Sequence, residues 1–209
     1  MADTKEKILL TALRLFAKDG YEAVSVSAVA GELGMTKGAL YKHYKSKRDI
    51  FDSIVERMYQ IDYERAKKYE VPEETFDKEP SLYRNTSAKQ IKFFTEAQFY
   101  FWTEDEFACN FRKMLTLEQY RNPEMAELYQ KCLAGGPVGY LEDLFREIIE
   151  QDILIKNTPK QLALEFYAPL YLLISISDAS PDKEELANLL AGHIERFIKK
   201  NFTEQTQKE

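Results

Sequence analysis

At 209 residues, with 44% hydrophobic and 13% aromatic side chains, the chain can bury a sizeable core in one medium domain or in a small domain joined to a larger one. Its two cysteines, Cys109 and Cys132, stand far apart and in no CxxC spacing, which supports neither a disulfide framework nor a thiolate zinc site and suits a reducing cytoplasm. The net charge of −6 argues on its face against a nucleic-acid partner, but residues 1–48 hold nine Lys/Arg against five Asp/Glu, a surplus of four that leaves about −10 elsewhere.

Apolar residues recur at three- and four-residue spacing along almost the whole chain, with no sustained period-two run, so the expected class is all-α with about nine or ten helices. The spacing predicts helices at roughly 4–18, 26–33, 37–43, 47–70, 87–102, 104–119, 123–133, 137–151, 159–177 and 182–200. Asp3 with Glu6, Ser46 with Asp49 and Thr158 with Gln161 have capping-box spacing. Asn122-Pro123, Thr158-Pro159 and Ser180-Pro181 place a cap residue before a proline at the first helical position. Val71 to Asn85, with Pro72 and Pro80, reads as a solvated loop, and Thr203 to Glu209 as a polar tail. The most apolar segment, Leu162 to Ile176, is interrupted by Glu165 and Pro169 and is too short to cross a bilayer, so no membrane partner is expected.

The first three helices are short and their turns tight. Ile8, Leu9, Ala12, Leu13, Leu15 and Phe16 are in helical register up to Asp19-Gly20, where glycine can close the helix in the left-handed conformation. Ser25 can cap the second helix, which turns Val26, Val29, Ala30 and Leu33 inward; Gly34 supplies the turn, Thr36 caps the third helix, and Leu40 anchors it. This is the spacing of a helix-turn-helix, in which the second helix of the motif is presented to a major groove. Between Thr36 and Arg48 lie five basic side chains and no acid, together with Tyr41, His43 and Tyr44.

The stretch VSVSAVAGELGMTKGALYKHYKSKRDIF, from Val24 to Phe51, resembles the helix-turn-helix signature of the TetR/AcrR regulators nearly position by position. The likeness rests on Gly34, Thr36-Lys37-Gly38, Leu40-Tyr41, Tyr44 and Lys45-Ser46-Lys47 leading into an apolar helix. Beyond about residue 60 it covers only length and helical pattern. It implies a DNA-binding head over residues 1–48 and a helical ligand-binding and dimerisation domain over residues 49–209, working as a homodimer on double-stranded DNA with a palindromic operator. Within that mode Thr36 offers a hydroxyl and nearby amides to a phosphate. Gly38 lets the backbone approach DNA, and Tyr41 and His43 reach phosphates or base edges. Lys37 and Lys42 make longer-range contacts, Lys47 clamps a phosphate, and Ser25 and Ser27 serve a further phosphate. Ser25 and Ser46 also read simply as caps, and Tyr44 either packs beneath the third helix or faces DNA.

The helix from Lys47 carries Ile50, Phe51, Ile54, Val55, Met58 and Ile61 and is long enough to serve as the lever by which, as the resemblance implies, a small-molecule effector changes the separation of two heads. Between Ile91 and Tyr120 nine aromatic residues crowd together, reading either as ordinary core or as a cavity lined by aromatics. The candidate ligand residues are Phe94, Gln98, Phe101, Trp102, Cys109, Tyr120 and Tyr167. The 159–177 helix is apolar nearly all round, so one side is expected to cover its own subunit and the other to meet a copy of itself through Leu170, Leu173 and Ile174, with Leu189, Leu190, Ile194 and Phe197 from the last helix.

An enzyme needs a constellation that is not found here. The two histidines, His43 and His193, stand alone; no HExxH, phosphate loop or nucleophile elbow occurs, and no cofactor or metal is expected. The reading is a cytoplasmic transcriptional regulator, a repressor released by a small, largely apolar ligand. The alternatives are a regulator controlled by a protein partner and an activator.

Overall fold

The computed structural model describes residues 4–72, 83, 86–154 and 157–203. Among these residues ten helices form: α1 (Thr4–Asp19), α2 (Val26–Glu32), α3 (Lys37–Leu40), α4 (Lys47–Lys68), α5 (Ala88–Glu104), α6 (Glu106–Glu118), α7 (Pro123–Leu133), α8 (Gly135–Glu150), α9 (Pro159–Ser177) and α10 (Lys183–Asn201). The sole extended pairing among them is an antiparallel bridge between Leu154 and Phe202, beside which the Thr203 amide donates to the Ile153 carbonyl at 2.9 Å. The chain divides into two compact units, residues 1–62 with 104–129 and residues 63–103 with 130–209. The head read at 1–48 lies inside the first.

The helix starts follow from side-chain chemistry. Ser46 Oγ accepts from the Asp49 amide at 3.0 Å, and the Asp49 carboxylate accepts from the Lys45 amide at 2.7 Å, a reciprocal cap at the start of α4. Asn122 Oδ1 accepts from the Glu124 and Met125 amides at 3.0 and 3.3 Å, with Pro123 as the first helical residue. Two expected caps differ. Thr158 makes no side-chain cap bond, although Pro159 does open α9. At α10 the cap is Asp182, whose carboxylate accepts from the Glu185 amide at 2.9 Å, while Ser180 accepts from the Asp182 amide; a carboxylate is the stronger acceptor for a helix N-terminus, and it wins. Asp3, Pro80, Asn85 and the tail beyond Thr203 lie outside the described residues. What is described of the expected solvated loop is not solvated: Val71, Pro72 and Tyr83 are buried, Tyr83 with its ring 5.7 Å from that of Tyr140.

In the first unit α1 packs along α6, burying Ile8, Ala12, Leu13 and Phe16 against a helix whose inner face is Phe107, Ala108, Phe111, Met114 and Leu115. Tyr21 joins this core to α4, its ring 5.1 Å from Phe16 and 5.2 Å from Phe51. At Gly20 φ is +90°, and a Cβ built there would stand 2.5 Å from Glu118 Oε1. Glu118 is 1% exposed, and neither carboxylate oxygen has a hydrogen-bond partner among the described residues. Only glycine serves the turn, for backbone and for space.

In the second unit α9 packs on α8 and α10 around Phe145, Phe166 and Phe197, whose centroids are 4.8 to 5.7 Å apart. Gly136, in the first turn of α8, is even more constrained than Gly20, since a Cβ there would stand 1.9 Å from the Lys131 carbonyl oxygen. That position fixes how α7 hands over to α8.

Candidate nucleic-acid interface

The motif is built on two buried side chains. Leu40 is fully buried and Tyr44, 2% exposed, donates its hydroxyl to the Lys5 carbonyl at 3.3 Å, so the choice left open for Tyr44 resolves to packing beneath the third helix. Those two residues, four apart, hold one face of the turn-and-helix segment down. Lys37, Gly38, Tyr41 and Lys42 share the opposite face at i, i+1, i+4 and i+5, and all four are exposed. Backbone bonds from His43 and Tyr44 to the Leu40 carbonyl, 2.9 and 3.2 Å, carry the helical turn past the end of α3. His43 is half-buried.

The turn into this helix is set by Gly34 at φ +64°. Thr36 Oγ1 accepts from the Ala39 amide at 3.1 Å, and Ser25 Oγ caps α2 through the Ala28 amide at the same distance. Both residues are exposed as well as capping, and Ser27 is exposed beside Ser25. At Gly38 an added Cβ would find nothing nearer than Thr36 Oγ1 at 4.0 Å. Glycine in a helix costs about 1 kcal/mol against alanine, and nothing inside the chain asks for it there. Its absent side chain clears space on the outer face only.

The basic residues divide into two sets. Lys37, Lys42 and Lys45 are exposed, Lys37 with its ammonium 5.7 Å from the Tyr41 ring centroid. Arg14 is engaged with Glu32 at 2.5 Å, and Arg48 makes a two-pronged pair with Glu124, both contacts 2.6 Å, besides reaching Asp52 at 2.6 Å. Lys47, expected as a phosphate clamp, is held inward: its ammonium donates to the Tyr21 carbonyl at 2.8 Å and the Glu22 carbonyl at 3.4 Å and lies 4.3 Å from the Tyr21 ring centroid. With two donors committed to carbonyls of the α1–α2 turn and the Glu22 carboxylate 4.0 Å from the same ammonium, its first role is to pin the start of α4 to that turn.

The expected ligand residues do not share one unit. Cys109 and Tyr120 fall in the first, and Tyr120, two residues past the end of α6, is 89% exposed and lines nothing. In the second, the Tyr167 hydroxyl donates to the Leu133 carbonyl at 2.7 Å, and Phe101 and Trp102 are buried side by side with centroids 5.0 Å apart. Gln98 accepts from Arg65 at 3.3 Å, and Phe94 lies 5.8 Å from the ring of Tyr69. The expected dimer residues Leu170, Leu173, Ile174, Leu190, Ile194 and Phe197 are buried by their own chain; Leu189 alone of the seven is exposed. The apolar side chains that α9 leaves in water are Leu164, Tyr171, Leu172 and Ile176, a stripe at helical spacing that sequence reading did not separate from the inner face. Because α9 is apolar all round, its pattern carries no phase.

A short helix presented by a turn, basic and uncovered on its outer face, has the form of a helix-turn-helix. Residues 8–54 match the family described as "Bacterial regulatory proteins, tetR family". The HTH-type transcriptional regulator YerO of Bacillus subtilis is 39% identical over 80 residues, 38% of this chain and 27% of that protein. The HTH-type transcriptional repressor BepR of Brucella suis is 41% identical over 56 residues, 27% of each chain. These matches span about a quarter of each curated relative. Among solved structures, a TetR-family regulator from Mesorhizobium loti superposes with TM-score 0.65 at 14% identity, covering 95% of this chain and 96% of that one. SmeT, the repressor of a Stenotrophomonas maltophilia efflux pump, superposes with TM-score 0.64 at 18% identity, covering 97% and 92%. Residues 8–54 thus carry the sequence signature of that family, and the fold over the length of the chain is like that of the solved TetR-family regulators. The proteins it resembles are transcriptional regulators, not enzymes.

Proposed function

We propose that the chain is a dimeric, sequence-specific repressor of bacterial transcription, working in the cytoplasm, which binds a palindromic operator and is released from it by a small, largely apolar ligand. The observation that carries this reading is the outer face of the third helix: Thr36, Lys37, Gly38, Tyr41 and Lys42 uncovered above buried Leu40 and Tyr44, with a glycine that nothing internal requires. Residues 1–48 are the reading head and 49–209 the regulatory and pairing body. Lys37 and Lys42 supply the charge, Tyr41 and His43 reach base edges or phosphates, and Ser25, Ser27 and Thr36 hold phosphates at helix starts. Lys47 holds the start of α4 against the α1–α2 turn, and on binding its ammonium turns to the backbone of the DNA.

Pairing uses the stripe Leu164, Tyr171, Leu172 and Ile176 together with Leu189, all between 38% and 57% exposed in the single chain. Large apolar side chains left in water along one helix face are most simply covered by the same face of a second copy. The small-molecule reading draws support from relatives in fold: SmeT is solved with triclosan, and a regulator from Saccharomonospora viridis with choline.

The test is selection of random duplex DNA on the purified protein across a salt series. Enrichment of one palindrome, with affinity that falls steeply as salt rises, is the expected result. A folded protein that enriches no sequence refutes the repressor.

A further inference from the structure

Between the C-terminal end of α4 and the outer face of α5, within the second unit, runs a solvent-open groove of about 600 Å³. Its volume is that of a site for a drug-sized organic molecule. The walls are aromatic: Tyr69 from the end of α4, and Phe93, Tyr100 and Phe101 from α5. Phe93 and Tyr100 are 51% and 44% exposed. Two large rings standing in water seven residues apart on one helix face, with Ala97 between them, form a slot open to a flat partner.

The sign of the charge follows from what already occupies the ring faces. The Arg65 guanidinium lies 4.0 Å from the Phe101 centroid and 5.6 Å from that of Tyr69. Lys68 stands 5.5 Å from the Tyr69 centroid and Lys89 5.9 Å from that of Phe93. Three of the four rings therefore carry a cation of the chain's own, and a cationic ligand would have to displace it. Arg65 is held in place by donating to the Ala97 carbonyl at 3.1 Å and to Gln98 at 3.3 Å. Of the two carboxylates on the rim, Glu96 has the Lys92 ammonium at 4.0 Å, a cation it shares with Glu195 at 2.8 Å, and Glu70 is exposed, where water screens it. A flat ring carrying one negative group gains on both counts, by stacking against Phe93 and Tyr100 and by meeting Lys68 and Arg65.

We propose that this groove is a binding site for a flat aromatic anion of one or two rings, such as an aromatic carboxylate. This assigns a chemical class to the effector and rests on the repressor reading for its role, although the binding itself needs no DNA. Calorimetry on the full chain with three probes of one shape tests it: 1-naphthoate, neutral 1-naphthylmethanol and cationic 1-naphthylmethylammonium. Naphthoate is expected to bind best and the ammonium worst. Lys68→Glu is expected to weaken naphthoate roughly three- to tenfold and to favour the ammonium. Phe93→Ala, an exposed site where folding is not at stake, is expected to weaken all three probes roughly tenfold. The proposal is overturned by an ammonium that binds as well as the carboxylate, by no binding of any probe, or by naphthoate affinity unchanged in both variants. A selected operator with no calorimetric binding sinks the groove alone, and naphthoate binding with no selected operator sinks the repressor alone.

Discussion

Replacing Gly20 by alanine tests whether the joint between α1 and α2 is held by backbone and by space at once. At φ +90° an L side chain is strained by about 1–2 kcal/mol. The added methyl also meets Glu118 Oε1 at 2.5 Å, so this carboxylate, 1% exposed, must shift inside the core to admit it. Overpacking of this kind costs about 1–3 kcal/mol, so Gly20→Ala is expected to lose roughly 2–5 kcal/mol in all. The two contributions separate in a double-mutant cycle. Glu118→Ala opens a cavity but removes a buried carboxylate that no hydrogen bond answers, and alone should shift stability by no more than about 1 kcal/mol. In the Glu118→Ala background the crowding is gone and Gly20→Ala should cost only the backbone strain, about 1–2 kcal/mol. Urea unfolding followed by circular dichroism measures all four proteins. Strict additivity, within about 0.5 kcal/mol, would refute the spatial half of the argument and leave conformation alone.

Gly136→Ala should be still more damaging, by about 3 kcal/mol or more, because its Cβ would stand 1.9 Å from a backbone carbonyl that no rotamer can move; the melting temperature reads this directly. Lys47→Met should destabilise the DNA-free protein by about 1–2 kcal/mol through its two lost carbonyl bonds. Lys42→Ala should leave the melting temperature alone and lower the slope of log affinity against log salt by about 0.9 if it meets a phosphate. Burial holds the His193 imidazole below its ordinary value of 6.5, despite the Phe166 carbonyl 3.2 Å away. The unfolded chain then binds the proton more readily than the folded one, so this group's contribution is present above about pH 6.5 and is lost as pH falls. Unfolding between pH 7.5 and 5 should therefore be less pH-dependent in His193→Gln than in the parent.

The helices themselves were legible because periodicity and punctuation are local. Ser46 with Asp49, Asn122 before Pro123 and Gly20 after Asp19 each act within a few residues, and each is found acting so. Misplaced features depend on something distant or on a choice between equals. Ser180 was read as the cap of the last helix from the proline after it, and Asp182, two residues on, is the acceptor that caps it. On α9 both faces are greasy, so Leu170 and Leu172 are indistinguishable in the sequence although the first is 5% and the second 57% exposed. Lys47 looked like any cation in a basic run, because the carbonyls that hold it leave no mark in residue type. The same is true of the meeting of Gly20 with Glu118, 98 positions apart in the chain.

The greasy stripe on α9 bears on how a cell would meter such a protein. If the proposed pairing runs through Leu164, Tyr171, Leu172 and Ile176, the population of two-headed molecules grows with the square of the chain's concentration while single chains predominate. Halving expression would then cut the active form about fourfold in that regime. The steepness of the genetic response would be set by a surface far in sequence from any base-reading residue, and blunting that stripe with a single charge would shift the expression threshold while leaving the recognised sequence unchanged.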